Sequence, residues 1–306
     1  MDVPQRLAAA AAALAVLVAG GWAAGAAVGP VRAQAAPAAE TAHADEPVAA
    51  HADEPAAAHV EEPAEDGAAH AADGGHSAEA SAAVPGLATT DRGYTLVPAS
   101  PVHAGGPFAF RITGSDGAPV TAFDVEHEKR LHLVVVRRDT AGYRHVHPEM
   151  APDGTWTVPL DLPAGGSYRA FADFTPTGGP ALTLGVDIAV PGDFAPTTHP
   201  VSRTAQVDGY TVVLDGDLVA GTDSPLTAAV TSGGTDVTAD LDPYLGADGH
   251  LVALREGDLA YLHVHPTGDG LGFGAEVPST GRYRLFLDFS HGGVVRTAEF
   301  TLETVS

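Results

Sequence analysis

The sequence predicts an all-β protein built from two tandem antiparallel β-sandwich domains, and three observations lead there. Short segments rich in Val, Phe, Thr and Tyr recur with Gly and Pro about every ten residues, the pattern of strands separated by tight turns. Beyond the N-terminal segment, no stretch carries the 3.6-residue apolar period of an amphipathic helix. Blocks also recur in the same order: Gly93-Tyr94-Thr95-Leu96 reappears as Gly209-Tyr210-Thr211-Val212, and YRAFADF from Tyr168 reappears as YRLFLDF from Tyr283. A unit of about 100 residues has been duplicated.

The N-terminus, residues 1–33, reads as a signal peptide or N-terminal membrane anchor. Arg6 precedes an unbroken small and apolar run over 7–29, and Val31-Arg32-Ala33 offers small residues before a cleavage point. The run is long enough to span a bilayer uncleaved. The expectation is therefore an extracytoplasmic protein, either secreted or held at the outer face of the cell membrane.

Residues 34–90 read as a disordered Ala/Pro/Glu/His linker. They contain no Lys or Arg and almost no large apolar side chain, so burial cannot offset the entropy of ordering them. Within them AHADEPVA, AHADEPAA and AHVEEPAE follow one another, with His43, His51 and His59 each ahead of an acidic pair and a Pro. Repeated Pro and like charges keep such a chain extended. A solvated spacer is the favoured reading over a loose metal sink that adds His70 and His76, because isolated His on a flexible chain are not preorganised.

The two copies are expected at 91–192 and 204–306, joined by a Pro-containing connector at 193–203. Each has about seven short strands, the number expected of a sandwich of immunoglobulin or cupredoxin type. The net charge of -24, with one Lys against fourteen Arg, excludes a nucleic-acid partner, since phosphate binding needs clustered basic residues. There is no Cys, which excludes disulfides, thiolate zinc sites and the Cys-ligated blue-copper centre.

The chemistry-bearing pattern also occurs twice. His132 is followed by His145 and His147, and His250 is followed at the same spacing by His263 and His265. Neutral imidazole is a leading ligand for zinc and copper, and two His at i and i+2 on a strand share a face. In LHLVVVRRDTAGYRHVHP and GHLVALREGDLAYLHVHP the flanking segments read as hairpin arms. An even number of loop residues puts the first His on the face of the other two; an odd number puts it on the opposite face. Three imidazoles without a thiolate suit Zn(II) or Cu(II), with copper the first choice in an exported protein, whereas Cu(I) would prefer Met or Cys. Water, Asp173, Asp288 or, in the second copy alone, His291 are candidates for a fourth ligand. For the matched Arg137 and Arg255, Arg169 and Arg284, and Asp173 and Asp288, Arg-carboxylate pairs tying strands together are the favoured role. Tyr94 and Tyr210, Tyr143 and Tyr261, and Tyr168 and Tyr283 read as core or corner tyrosines. His103, His127 and His199 have no counterpart in the other copy.

With HLVVVRRD, HVHP and YRAFADF in the first copy and HLVALREGD, HVHP and YRLFLDF in the second, about two thirds of the chain resembles exported bacterial cupredoxin-like or immunoglobulin-like β-sandwich proteins, the loose group of YtkA-like and FixH-like modules. That resemblance implies copper handling or oxidase assembly. The missing Cys and Met-rich motifs depart from it and speak against electron transfer and Met-based chaperoning.

Two functional readings stand. The first is an exported, non-enzymatic protein that binds or delivers copper(II) or zinc, holding one ion in each repeat, with another exported protein as a candidate partner. The second is a surface interaction module on a flexible stalk, with histidines that bond backbone carbonyls. No Gly-x-Ser-x-Gly, His-Glu-x-x-His or phosphate loop is present, so no catalytic residue is assigned.

Overall fold

The computed structural model describes residues 84–305 apart from 163 and 269, so the expected signal segment and most of the expected linker lie outside the described residues. The described residues belong to one compact unit, and both repeats lie within it.

In the first repeat the strands are β1 (Thr90–Asp91), β2 (Tyr94–Pro98), β3 (Pro107–Thr113), β4 (His132–Arg137), β5 (Arg144–Val146), β6 (Glu149–Met150), β7 (Thr155–Pro159), β8 (Gly166–Phe174) and β9 (Leu182–Val190). In the second they are β10 (Thr204–Val207), β11 (Tyr210–Asp215), β12 (Leu218–Val219), β13 (Asp223–Ser232), β14 (Thr235–Asp236), β15 (His250–Arg255), β16 (Tyr261–Leu262), β17 (Val264–Pro266), β18 (Gly272–Glu276), β19 (Arg282–His291) and β20 (Val294–Val305). The one helical element among the described residues is a single 3-10 turn, Thr238–Asp240.

The strand order decides between the two sandwich types. One sheet of the first repeat runs β1-β2-β3-β7-β6 and the other β5-β4-β8-β9. With β2 as strand A, these are the A-B-E-D and C′-C-F-G sheets of an immunoglobulin-like sandwich. In the second repeat β11-β13-β18-β17 and β16-β15-β19-β20 repeat that order. Tyr168 and Tyr283, near the starts of their F strands, donate hydroxyl hydrogen bonds to the Ala164 and Ser279 carbonyls, at 2.9 and 2.7 Å. Both are the corner tyrosines of this fold.

Each repeat has its own core between its two sheets. Leu96, Phe110, Ile112 and Trp156 face Leu133, Val135, Ala170 and Leu184 in the first, and Val212, Leu226 and Phe273 face Leu251, Leu285 and Phe300 in the second. A third cluster lies between the repeats. It joins Val134, Val136, Tyr143 and Phe171 to Val252, Leu254, Leu259, Tyr261 and Phe286. These come from matching positions on the outer faces of the two C′-C-F-G sheets. The contact is therefore isologous, a pseudo-twofold within one chain. Tyr143 stacks on Phe286 with ring centroids 4.0 Å apart, and in the mirrored place Phe171 meets Tyr261 at 5.5 Å.

This double burial explains the continuous apolar runs HLVVVR and HLVALR. Alternate residues of β4 and β15 face their own core and the other repeat, so neither face is left to water.

The expectation of a disordered linker running to residue 90 is corrected at its end. Its last residues, 84–90, are built into the interface: Gly86 N donates to Thr183 O, its carbonyl accepts from Arg169 Nε and Nη2, and Pro85 O accepts from Tyr261 N. Gly86 has φ +75, and a Cβ there would stand 2.7 Å from the Phe171 ring, so glycine is required.

Candidate metal centre

In the first repeat Leu133 pairs with Val146 and Val134 with His145. His132 therefore falls opposite His147, and the even register puts His132, His145 and His147 on one face. That face is the one turned to the second repeat. One ring nitrogen from each of the three lies within 4.8 Å of the others, and this is the only such group of three or more His, Cys, Asp or Glu among the described residues. Around an ion bound by about 2.0–2.1 Å bonds, tetrahedral nitrogens stand about 3.3 Å apart. His132 Nδ1 and His145 Nε2 already stand 3.1 Å apart.

The second repeat does not gather its own triplet. Ala253 pairs with Leu262, the same even register, but the hairpin then ends. At Val264, the position of Val146, the chain has joined the opposite sheet: Val264 pairs with Ala275, and Glu276 N donates to His263 O at 3.0 Å. The outer edge of β16 is occupied by Pro85. His263 and His265 thus leave His250, and His265 lies on the surface 3.7 Å from Asp223. The expectation of one three-histidine site per repeat is corrected to one convergent group at the interface.

His250 joins that group from across the pseudo-twofold. Its ring stacks on that of His132 at 5.4 Å with 8° between planes, and lies 4.8 Å from His145. His127 adds a fifth imidazole, 6.1 Å from His132 and 5.7 Å from His250. Sequence reasoning set His127 aside as unmatched. It is delivered by a two-residue hairpin turn in which Glu126 and Lys129 exchange backbone hydrogen bonds, with φ 47 at His127 and 65 at Glu128. The second repeat makes the same turn with Leu245 and Gly246. Positive φ at both central residues is the Asn-Gly type of turn, and His-Glu sits there under strain. Only that turn chemistry, absent from the letters His-Glu, could have pointed to it.

The electrostatics keep His132, His147 and His250 neutral. Burial, reinforced by His145, pulls His132 from 6.5 to about 4 and His147 to about 3, and burial beside the same neighbours holds His250 well below its ordinary value. Neutral imidazole is the form that ligates a metal. Four nitrogens have protein partners: His132 Nε2 meets Glu126 O at 3.2 Å, His132 Nδ1 and His145 Nε2 face each other at 3.1 Å, and His145 Nδ1 meets Asp288 Oδ2 at 2.8 Å. His147 Nε2 and His250 Nδ1 are buried without any. A buried, unpaired ring nitrogen costs roughly 1–3 kcal/mol and calls for an occupant.

Asp288 belongs to the second repeat, so the acid that orients His145 comes from the other domain. Thr297 Oγ1 donates to its second oxygen at 2.5 Å. Asp173 occupies the matching place, takes a hydrogen bond from Thr183 at 2.9 Å, and is pushed up in pKa by burial. Neither acid pairs with the matched arginines. Arg169 instead binds Asp187 at 3.0 Å and Arg284 binds Glu299 at 2.5 Å, while Arg137 and Arg255 hold Asp139 and Asp258 at the hairpin tips. The tying of strands by Arg-carboxylate pairs holds for Arg169 and Arg284, with these other acids, whereas Arg137 and Arg255 pair with acids of their own hairpin loops. His291 is engaged with Tyr210 at 2.8 Å, and His103 Nε2 bonds Leu160 O at 3.0 Å. A cavity of about 210 Å³, lined by His127, His132, Asp173, His250 and His263, leads to the cluster between the repeats.

A family model described as a domain of unknown function, DUF8832, matches residues 88–192 and again 205–306. No curated protein matches the chain. Among solved structures, domains 5-6 of the S-layer protein SbsC align at 14% identity and TM-score 0.21, covering 69% of this chain and 98% of that one. The N-terminal Ig1-2 module of the Drosophila receptor protein tyrosine phosphatase DLAR aligns at 11% identity and TM-score 0.20, covering 70% and 99%.

Proposed function

We propose that this chain, which belongs to the DUF8832 family and carries its domain twice, is an exported, non-enzymatic protein that binds a borderline divalent transition metal, copper(II) or zinc, between its two repeats. The observation that carries the reading is the convergence of His132, His145 and His147 on one buried spot where the ring nitrogen of His147 lacks any partner. Three imidazoles without thiolate match the donor preference of these ions. Asp288 supports the reading as the carboxylate partner that metal-bound histidines commonly have. Binding rather than catalysis is the role read from the sequence, which carries no Gly-x-Ser-x-Gly, His-Glu-x-x-His or phosphate-loop motif. Export, and attachment or release at the outer face of the membrane, rests on the N-terminal apolar run.

Titration of the full-length chain with Zn(II) or Cu(II) against a competing chelator tests it. One tight ion per chain is expected. His145→Ala with His147→Ala should abolish that binding, while His263→Ala with His265→Ala should leave it intact. Equal binding by the first double variant and the parent would refute the site, and two tight ions per chain would restore the one-per-repeat arrangement.

A further inference from the structure

We infer that His250 of the second repeat is a fourth ligand, so that the bound ion fastens the two repeats together. This rests on the metal site proposed above, and goes beyond it by making that site the joint property of two domains.

His132 and His250 occupy matching positions at the starts of β4 and β15, and the pseudo-twofold that pairs Tyr143 with Tyr261 and Phe171 with Phe286 brings them face to face. An ion held by His132 close to that axis necessarily lies beside His250. Ring separations agree with a shared centre. With bonds of about 2.0–2.1 Å to nitrogen, imidazole centroids around a tetrahedral ion stand about 5 Å apart. The pairs His132–His145, His132–His147 and His145–His147 are at 5.3, 5.0 and 4.9 Å, and His250 stands at 5.4 Å from His132 and 4.8 Å from His145. His250 thus keeps to the first two rings the spacing that the three convergent histidines keep among themselves.

The second observation is chemical. His250 Nδ1 is buried with no hydrogen-bond partner among the described residues, just as His147 Nε2 is. The nitrogens of His250 lie outside the group within 4.8 Å, and no bond at Nδ1 opposes the side-chain rotation that would carry one inward. The second repeat already reaches the site by another route, through the hydrogen bond of Asp288 to His145. Adding His250 makes a four-imidazole set from both domains, a donor set suited to Zn(II) or Cu(II). An ion bound only when the repeats are docked stabilises the docked state by mass action.

Co(II) binding to the full-length chain separates the outcomes, with its visible absorption reporting the ligand set and amide hydrogen exchange reporting the interface. The parent should bind one Co(II) or Zn(II), and metal should slow exchange in both β4 and β15. His250→Asn should weaken binding about 10- to 100-fold, a loss comparable to that of a partner supporting the site, shift the Co(II) bands, and remove the protection of β15. Should His250→Asn not fold, His250→Gln serves, and the parent's own exchange pattern still decides: protection confined to the first repeat overturns the inference. Unchanged affinity and bands in a folded His250 variant overturn it as well, yet leave the three-histidine site standing. No tight binding by the parent overturns both.

Discussion

His145 and Asp288 lie 143 positions apart and in different repeats, yet the imidazole Nδ1 and the carboxylate Oδ2 are 2.8 Å apart, with both side chains almost wholly buried. The bond ties the C′ strand of one sandwich to the F strand of the other. It also leaves His145 Nε2 pointing at His132, the orientation a ligand needs. Asp288→Asn keeps the shape and removes the charge. It should lower Zn(II) or Cu(II) affinity about 10- to 100-fold without unfolding the chain, as read by chelator competition beside a circular dichroism spectrum. Undiminished affinity would detach Asp288 from the site.

Acid should destabilise the metal-free protein. His132 and His147 are held at about 4 and about 3 in the folded chain, mainly by burial and then by His145, against 6.5 when exposed. Below about 6.5 the unfolded chain takes up these protons first, so it binds more protons than the folded one until the pH passes the folded values. Stability therefore falls as pH falls through that window. Urea midpoints measured with chelator should drop between pH 7 and 4.5, and His132→Asn should have a shallower drop than the parent. Parallel curves for the two would contradict the assignment.

The interface should make the repeats unfold together. Phe286 is fully buried and stacks on Tyr143. Phe286→Ala should cost about 3–5 kcal/mol, the usual range for removing a buried aromatic ring. Calorimetry should then show the single transition of the parent split into two, because the cores at Phe110 and Phe300 remain separate and intact. A single transition at the parental temperature would mean that the repeats do not depend on this contact.

The turn at His127-Glu128 should be improvable. Glu128 has φ 65, where its counterpart in the second repeat is Gly246 at φ 76. Glu128→Gly relieves a left-handed conformation that costs an L-residue about 1–2 kcal/mol, less the added freedom of glycine in the unfolded chain. The melting temperature should rise, with metal binding preserved. A fall would reveal a contact of the Glu128 side chain that outweighs the strain.

Much of the architecture was legible in the chain. Period-two segments marked β3 and β7, the matched blocks marked the duplication, and the paired tyrosines read as core or corner residues, of which the structure makes Tyr168 and Tyr283 the corners. The site was half legible. His132, His145 and His147 follow from spacing once the hairpin register is even, since strand neighbours at i and i+2 must share a face. His263 and His265 obey the same spacing and yet separate from His250, because β17 pairs with Gly274 and Ala275 of the opposite sheet at the point where β5 still pairs with β4. Which sheet a strand end joins is a contest between two sets of backbone hydrogen bonds, and the letters HVHP, identical in both repeats, do not encode its outcome.

By itself the sequence determined the all-β class, the two units, the absence of thiol chemistry and the identity of the ligand-type residues, for these depend on local periodicity and composition. Tertiary structure alone decided that the second face of β4 and β15 is buried against the other repeat, that Asp288 reaches His145, and that His127 and His250 stand beside His132. Those contacts join residues far apart in the chain, and they form because two apolar sheet faces exclude water only by covering one another, which carries the histidines at their edge into one place.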